Sequence, residues 1–417
     1  MSARRGDVLV LGGGVVGLAC ALELLRAGRG VTLLEQGRAG GATSHGNCGT
    51  ITPSHATPLA MPGMIGEALA QVLRADAPFR VKPRFDPALW AWMLQFARRC
   101  NWRDFDRVNR IKAPLLMRSR RAIEALVRDE RLDCEFEARG TMYVYRDPAA
   151  FERAQWMPRA LREVDVPIEV LDGTAARARE PALNERIVGA YYNPADGHLR
   201  PDRYVAELAR RVRERGGTIL EQEPVLALHA RAGAIESVET QGARHVARDY
   251  VLAMGVWSPG LARTLDLRLP IQPGKGYSIT YDRPARCPRI PLVCKERSVC
   301  VTAWSSGYRL GSTMEFAGFD ASLNRTRLDA LERGAGEYLH EAVGPRRIEE
   351  WYGWRPMTWD DLPIIGRSPR HPNLVLATGH GMLGVTMSAV TAELVTDLIC
   401  ARPPALDPAP LGLQRFA

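Results

Sequence analysis

The sharpest pattern along the chain is an unbroken apolar run that meets a cluster of glycines and then gives way to a helical apolar repeat. Val8, Leu9, Val10 and Leu11 stand in a row, as a parallel strand buried on both faces requires. Gly12, Gly14 and Gly17 follow in G-x-G-x-x-G spacing. Leu18 to Ala27 reads as a helix, with Gly28 and Gly30 ending it. A second apolar strand, Val31 to Leu34, finishes on Glu35. Strand, glycine turn, helix, strand and terminal acid together predict a unit that holds a dinucleotide: the glycines let backbone approach a pyrophosphate, and the acid accepts hydrogen bonds from ribose hydroxyls.

Helical periodicity dominates further on. Leu89, Trp90, Met93, Leu94 and Phe96 form one apolar face, and Ala113, Leu116, Ile123 and Leu126 form another after a basic turn. GTMYVY from Gly140 to Tyr145 reads as a strand, and His198 to Gly217 as a helix opened by Pro201 and Asp202. Thr218 to Leu220 and Val225 to Leu228 read as strands. Asp249 to Ser258 repeats the logic of a buried strand followed by glycine. Alternating residues in Pro270 to Tyr281, Ser298 to Thr302 and Tyr308 to Ser312 predict an antiparallel sheet, followed by an amphipathic helix over Leu328 to Val343. Near the end, the strand Leu374 to Ala377 runs into TGHGMLGVTMS, a second glycine-rich turn before a helix.

The polar, glycine-rich loop Gly37 to Thr57 fits no core element. Its Ala42, Thr43, Ser44 and Asn47 are small enough to lie against a phosphate or a ring edge. Glu35 disfavours a 2′-phosphate, leaving FAD or NAD. The segment Pro58 to Phe85, rich in proline, glycine and methionine, is expected to pass a ligand before entering another domain.

Composition narrows the picture. The 417 residues suffice for two or three domains, and 46% hydrophobic with 25% charged residues is an ordinary globular balance. No apolar run reaches membrane-spanning length, so a cytoplasmic location is expected. The net charge of +9 comes mainly from Arg and is spread along the chain. Arg98, Arg99, Arg103, Arg107 and Arg110 read as a solvated helix face, with peripheral contact to an anionic membrane as the functional alternative. No aromatic platform alternates with them, so nucleic acid is not expected as a partner. The eight cysteines form no C-x-x-C pair. Buried reduced thiols and no metal site are expected.

GGGVVG, the Ser44/Asn47/Gly49 loop, PGKGYS, GWRPMTWDDLPIIG and ATGHGMLGVTMS occur in an order that resembles the bacterial D-amino acid dehydrogenase family, within the D-amino acid oxidase, glycine oxidase and sarcosine oxidase superfamily of FAD enzymes. His45 and Cys48 resemble members acting on D-proline-like or D-hydroxyproline-like imino acids. The resemblance implies an α/β fold: a doubly wound, Rossmann-like FAD-binding domain over residues 1–85, 198–262 and 351–417, and an α+β substrate domain over 86–197 and 263–350 carrying a mixed, largely antiparallel sheet. It implies FAD contacts from Gly12, Gly14, Val15, Val16 and Gly17, from Glu35 and Gln36, from Ser44, His45, Asn47 and Gly49, from Val225 and Gly255, and from His380, Gly381, Met382 and Gly384. Some related flavoproteins attach flavin covalently at a histidine near His45. Arg355 would grip a substrate carboxylate, Tyr277 would add a hydroxyl, and Lys275 would lie near the flavin. His380, Gly381 and Gly384 would bring positive potential to the flavin's pyrimidine edge. The implied reaction is hydride transfer from the substrate Cα to flavin N5, with electrons passed on to a quinone or another carrier. A glycine- or sarcosine-type oxidase using oxygen, or a flavin-binding subunit of a larger complex, are the alternatives.

Overall fold

The computed structural model describes residues 3–66 and 79–417; residues 67–78, within the proline-rich 58–85 segment, lie outside the described residues. Two large sheets organise the chain. The first has eight strands, and at its centre Thr218–Leu220, Val31–Leu34, Ala3–Leu11, Arg244–Leu252 and Leu374–Thr378 lie side by side in parallel. Ile364–Arg367 adds antiparallel to the last of these, and the hairpin Val225–Arg231/Ala234–Thr240 joins at Arg244–Leu252. Val8 and Val10 enter one hydrophobic cluster, whereas Leu9 and Leu11 enter another. The same alternation splits Val251 from Tyr250 and Leu252, and Val375 from Leu374 and Leu376. Both faces are therefore covered, which is why these strands are continuously apolar in sequence.

Three helices cover the first face: Val15–Arg26, Pro201–Glu214 and Ser388–Ile399. The first begins at Val15, a turn earlier than its apolar repeat suggests, because Gly14 is extended and serves as N-cap. The expected helix from His198 instead starts at Pro201. His198 belongs to a two-residue strand that pairs with Thr50–Ile51. The arginine-rich region divides into the helices Pro87–Arg99 and Trp102–Asp129, and Asn101 accepts from the Asp104 amide to cap the second.

The second sheet has nine strands. Arg347–Thr358, Ile271–Tyr281, Gly307–Phe316, Val299–Trp304 and Leu292–Cys294 run antiparallel in that order, and Thr141–Tyr145, Gly189–Asn193 and Glu169–Asp172 extend it. The helix Arg325–Gly336 packs Leu328 and Leu331 on one face, against Ile279, Val301 and Leu310. It ends seven residues short of the expected Val343, because the chain then turns back and Leu339 bridges to Leu183. The opposite face looks toward the first sheet. Along it, Trp351, Ser278, Gly311, Cys300, Val293 and Tyr143 form one cross-strand row.

The turn Pro53–Ala56 is pinned above that row by a buried carboxylate. Asp196 accepts from the Ser54 amide (3.0 Å) and the Ser54 hydroxyl (2.6 Å), and Ser54 Oγ also meets the Tyr143 hydroxyl (3.1 Å). Burial pushes the Asp196 carboxyl up from 3.8 to about 7, against the opposing hydrogen bonds from Ser54. The fold thus holds a proton that the unfolded chain gives up near 3.8, so stability from this group is complete below about pH 4 and is lost as pH rises toward 7. Asp196→Asn should flatten that slope. Chemical denaturation at pH 5 and pH 8 should show the variant losing on the order of 1–4 kcal/mol less than the parent; parallel pH profiles would contradict the assignment.

Candidate active site

One cavity runs from the carboxyl ends of the parallel strands to the inner face of the second sheet, the crevice where open α/β sheets bind ligands. At its first end lie Gly12, Gly14, Val15, Val16, Glu35, Gln36 and Val225. Gly12 has φ +103°, and a Cβ there would lie 2.6 Å from the Ala253 carbonyl oxygen. The glycine therefore permits both the turn and the close approach of the neighbouring strand's end. The Glu35 carboxylate is fixed by the amides of Gly13 (2.7 Å) and Gly37 (2.9 Å). Ser44 Oγ accepts from the Val15 amide at 3.0 Å, and no acidic side chain stands in the first turn of the Val15–Arg26 helix. A helix start so arranged favours an anion.

Gly17 lines no part of the cavity. A Cβ there would come within 1.9 Å of the Gly12 carbonyl oxygen, so its absence lets the helix close against the turn.

The loop after Glu35 crosses between the sheets. Buried Arg309 donates from Nη1 to the carbonyls of His45 (3.1 Å) and Asn47 (2.7 Å) and from Nε to Thr280 Oγ1 (2.9 Å). Ser278 Oγ donates to the Gly46 carbonyl (2.9 Å), and Thr43 Oγ1 to that of Trp354 (2.9 Å). Ser44 and Asn47 consequently face the cavity, but His45 and Gly49 do not. The His45 ring turns away to Glu349, 2.8 Å from Nε2, so it is not placed to carry a cofactor. Gly49, at φ +74°, is required by packing: a Cβ would meet the Leu199 carbonyl oxygen at 2.0 Å.

The far end is built on the strand Arg347–Thr358. Arg355 lies with its guanidinium over Gly276, where a Cβ would stand 2.4 Å from both terminal nitrogens. Nη1 donates to the Thr313 carbonyl (2.7 Å). A bulge at Ser312 and Thr313, whose φ values are +116° and +58°, shapes the strand that supplies that carbonyl. Among the described residues no carboxylate pairs with Arg355, and burial pulls the group below its ordinary value. A guanidinium stays protonated in proteins, so the cavity ends at a half-buried cation without a carboxylate partner among the described residues.

Tyr277 lines the same region, but its hydroxyl donates to Glu315 Oε2 at 2.7 Å, which removes it as a donor to a ligand. Lys275 is directed elsewhere, to the Ser322 carbonyl and across the rings of Tyr277 and Tyr352.

The glycine-rich turn before Ser388–Ile399 brings His380, Gly381, Met382 and Gly384 to the wall, and Gly255 lies beside them. His380 is not a source of positive charge. Its Nε2 meets Thr391 Oγ1 at 2.9 Å, and burial pulls it from 6.5 to about 3, leaving a neutral ring.

His55, Cys300, Ser312 and Trp351 are among the wall residues that carried no assignment from the sequence. The alternation Val299, Cys300, Val301 does put Cys300 opposite two core residues, a signal present in the sequence. His55 sits in a turn without periodicity. Its Nδ1 meets Thr52 Oγ1 at 2.6 Å, and burial, with Lys112 and Lys295 nearby, keeps the imidazole neutral, at about 3. The cysteines are all free, but only Cys20, Cys134 and Cys294 are fully buried, fewer than expected.

The glycine turn, the fixed acid, and a wall drawn from both ends of the chain define a dinucleotide-binding oxidoreductase. The chain belongs to the FAD dependent oxidoreductase family, whose model matches residues 7–398. It is 34% identical to the D-amino acid dehydrogenase of Agrobacterium fabrum, covering 99% of this chain and 100% of that one. It is also 34% identical to the D-amino acid dehydrogenase of Paramagnetospirillum magneticum, over 98% of each. Among solved structures it is similar to glycine oxidase from Geobacillus kaustophilus, with TM-score 0.82, 23% identity and 99% of both chains covered. It is likewise similar to L-proline dehydrogenase from P. horikoshii, with TM-score 0.76, 18% identity, and 100% and 98% covered.

The cavity fits the family's cofactor on its own geometry. A Cβ at Gly12 would collide with backbone, and the Trp354 indole Nε1 on the cavity wall is buried without a partner among the described residues, an unmet donor of the kind a bound ligand satisfies. Gly12→Ala should therefore purify with far less FAD and bind added FAD more than about tenfold more weakly, a cost of about 1.4 kcal/mol or more. Flavin content and fluorescence titration test this; full flavin occupancy would contradict it.

Proposed function

We propose that the protein is an FAD-dependent D-amino acid dehydrogenase that oxidises D-amino acids, cyclic imino acids such as D-proline and D-hydroxyproline included. The observation that carries the reading is Arg355: a half-buried cation facing a cavity, without a carboxylate partner among the described residues. A planar guanidinium takes a carboxylate through two parallel hydrogen bonds, which fixes the carboxylate's plane as well as its position. Holding the substrate there sets the direction of its Cα–H, and such positioning is worth a large part of a barrier.

FAD, when bound, supplies the two-electron acceptor for hydride from Cα. The protein's share is to bind, orient and exclude water. Trp257, Trp351 and Trp354 form an aromatic wall suited to the last task. Glu35 and the Gly12–Val16 turn would hold the cofactor's ribose and pyrophosphate, and Ser44, Asn47 and the 380–384 turn its inner portion. We assign the division of labour to the two sheets, with the cofactor unit drawn from 1–85, 198–262 and 351–417. The continuous strand Arg347–Thr358 supports moving the last border to residue 358.

For the acceptor we favour a quinone or another carrier at a membrane surface. No helix among the described residues is long and apolar enough to cross a membrane. Exposed Trp90, Leu94 and Trp102 stand on the two helices that also expose Arg98, Arg103 and Arg107, a combination suited to an anionic lipid surface.

Anaerobic mixing of the FAD-loaded protein with a panel of D- and L-amino acids tests the reading. D-substrates should bleach the flavin absorbance, and a soluble quinone should restore it faster than oxygen does. Bleaching by L-isomers alone, or rapid peroxide formation in air, would overturn it. Arg355→Met and Gly276→Ala should each raise the substrate concentration for half-maximal bleaching at least about tenfold, as expected for loss of a charge-assisted hydrogen bond, while keeping the flavin bound.

A further inference from the structure

Two thiols from distant parts of the chain meet on the cavity wall. In the row that crosses the second sheet, Gly311 is followed by Cys300, its antiparallel partner. Directly opposed residues share a face, with Cα atoms about 4.5–5.5 Å apart. Gly311 has no side chain, and Cys48 of the crossing loop fills the space above it: a Cβ at 311 would lie 2.6 Å from the Cys48 sulfur. The Cys48 and Cys300 thiols are thus close enough to shift each other's ionisation, and both line the cavity. Both are partly exposed.

The other cysteines are arranged differently. Cys294 lies in the core on the sheet's far side, while its neighbour Val293 faces the cavity. Cys20 and Cys134 are buried. The groups acting on Cys100 and Cys287 include no other thiol.

We propose that Cys48 and Cys300 form a modification site at which a peroxide reversibly generates a disulfide, tying the crossing loop to the second sheet beside Arg355 and narrowing the substrate end of the cavity. The environment assigns the order of events. The neighbouring Cys300 thiol, with Arg309 and Arg355 nearby, holds the Cys48 thiol below its ordinary range, while Cys48 and burial push Cys300 up. The Cys48 thiolate attacks one peroxide oxygen, the O–O bond breaks, and hydroxide leaves. The resulting sulfenic acid is then attacked by the Cys300 sulfur: the S–S bond forms, the S–O bond breaks, and the departing hydroxide takes the Cys300 proton as water. In sum, two thiols lose two electrons and two protons, and hydrogen peroxide is reduced to two waters. The proposal is independent of which substrate the enzyme takes.

Peptide mapping of the full-length holoenzyme tests it. The protein is treated with a small molar excess of hydrogen peroxide, its remaining thiols are alkylated, and it is digested without reductant. A cross-linked pair carrying Cys48 and Cys300 should appear, with Cys100, Cys287 and Cys400 still alkylated. Dithiothreitol should abolish the cross-link and restore anaerobic bleaching together. In Cys300→Ser, Cys48 should gain oxygens instead of forming the cross-link, and in Cys48→Ser, Cys300 should stay alkylatable at the same dose. Alkylation of both cysteines in the treated parent protein, or over-oxidation of Cys48 there without a cross-link, would overturn the proposal.

Discussion

A guanidinium half-buried in a cavity wall without a carboxylate partner gives up part of its hydration, and the surroundings of Arg355 are organised around tolerating it. Gly276 removes the side chain that would occupy its place, and the Thr313 carbonyl takes one of its protons. The left-handed residues Ser312 and Thr313 lie in the bulge of the strand presenting that carbonyl; backbone in sparsely populated regions persists where the surrounding structure over-determines it. These costs are offset when an anionic group enters the cavity, which is how a site can be built for a ligand before the ligand arrives.

The second constraint is the loop between the sheets. Residues 42–50 have almost no apolar side chains to bury, so they are ordered by hydrogen bonds from outside. Arg309 and Ser278 reach from the second sheet to the loop's carbonyls, and Ser44 returns a bond to the helix start on the first. Binding elements of both sheets are thereby brought into one register. The same arrangement brings Cys48 over Gly311, so the device that positions the loop also creates the thiol pair.

Much of this was legible in the sequence, and the reasons differ by element. The Gly12 turn and Glu35 could be read because a buried parallel strand, a tight turn and a closing acid each demand particular residue types at fixed spacing. Arg355 came through resemblance to a family, since no local periodicity marks it, whereas the 380–384 turn could be read from the apolar strand before it and the glycines within it. His45 was misread because its direction is set by Glu349 and Arg309, 304 and 264 residues away in the chain. The Tyr277 hydroxyl and the neutrality of His380 depend likewise on partners, Glu315 and Thr391, that only the fold supplies. His55 could not have been found: it lies in a short turn whose place is fixed by Asp196 through Ser54.

The most direct test of the central claim is a titration of the oxidised, FAD-loaded protein with a small unreactive carboxylate and with its uncharged amide, followed by the flavin absorption spectrum. If Arg355 is the anion anchor beside the flavin, the carboxylate should perturb the spectrum saturably, the amide should not, and Arg355→Met should abolish the response. Equal binding of acid and amide, or an undiminished response in the variant, would contradict the account.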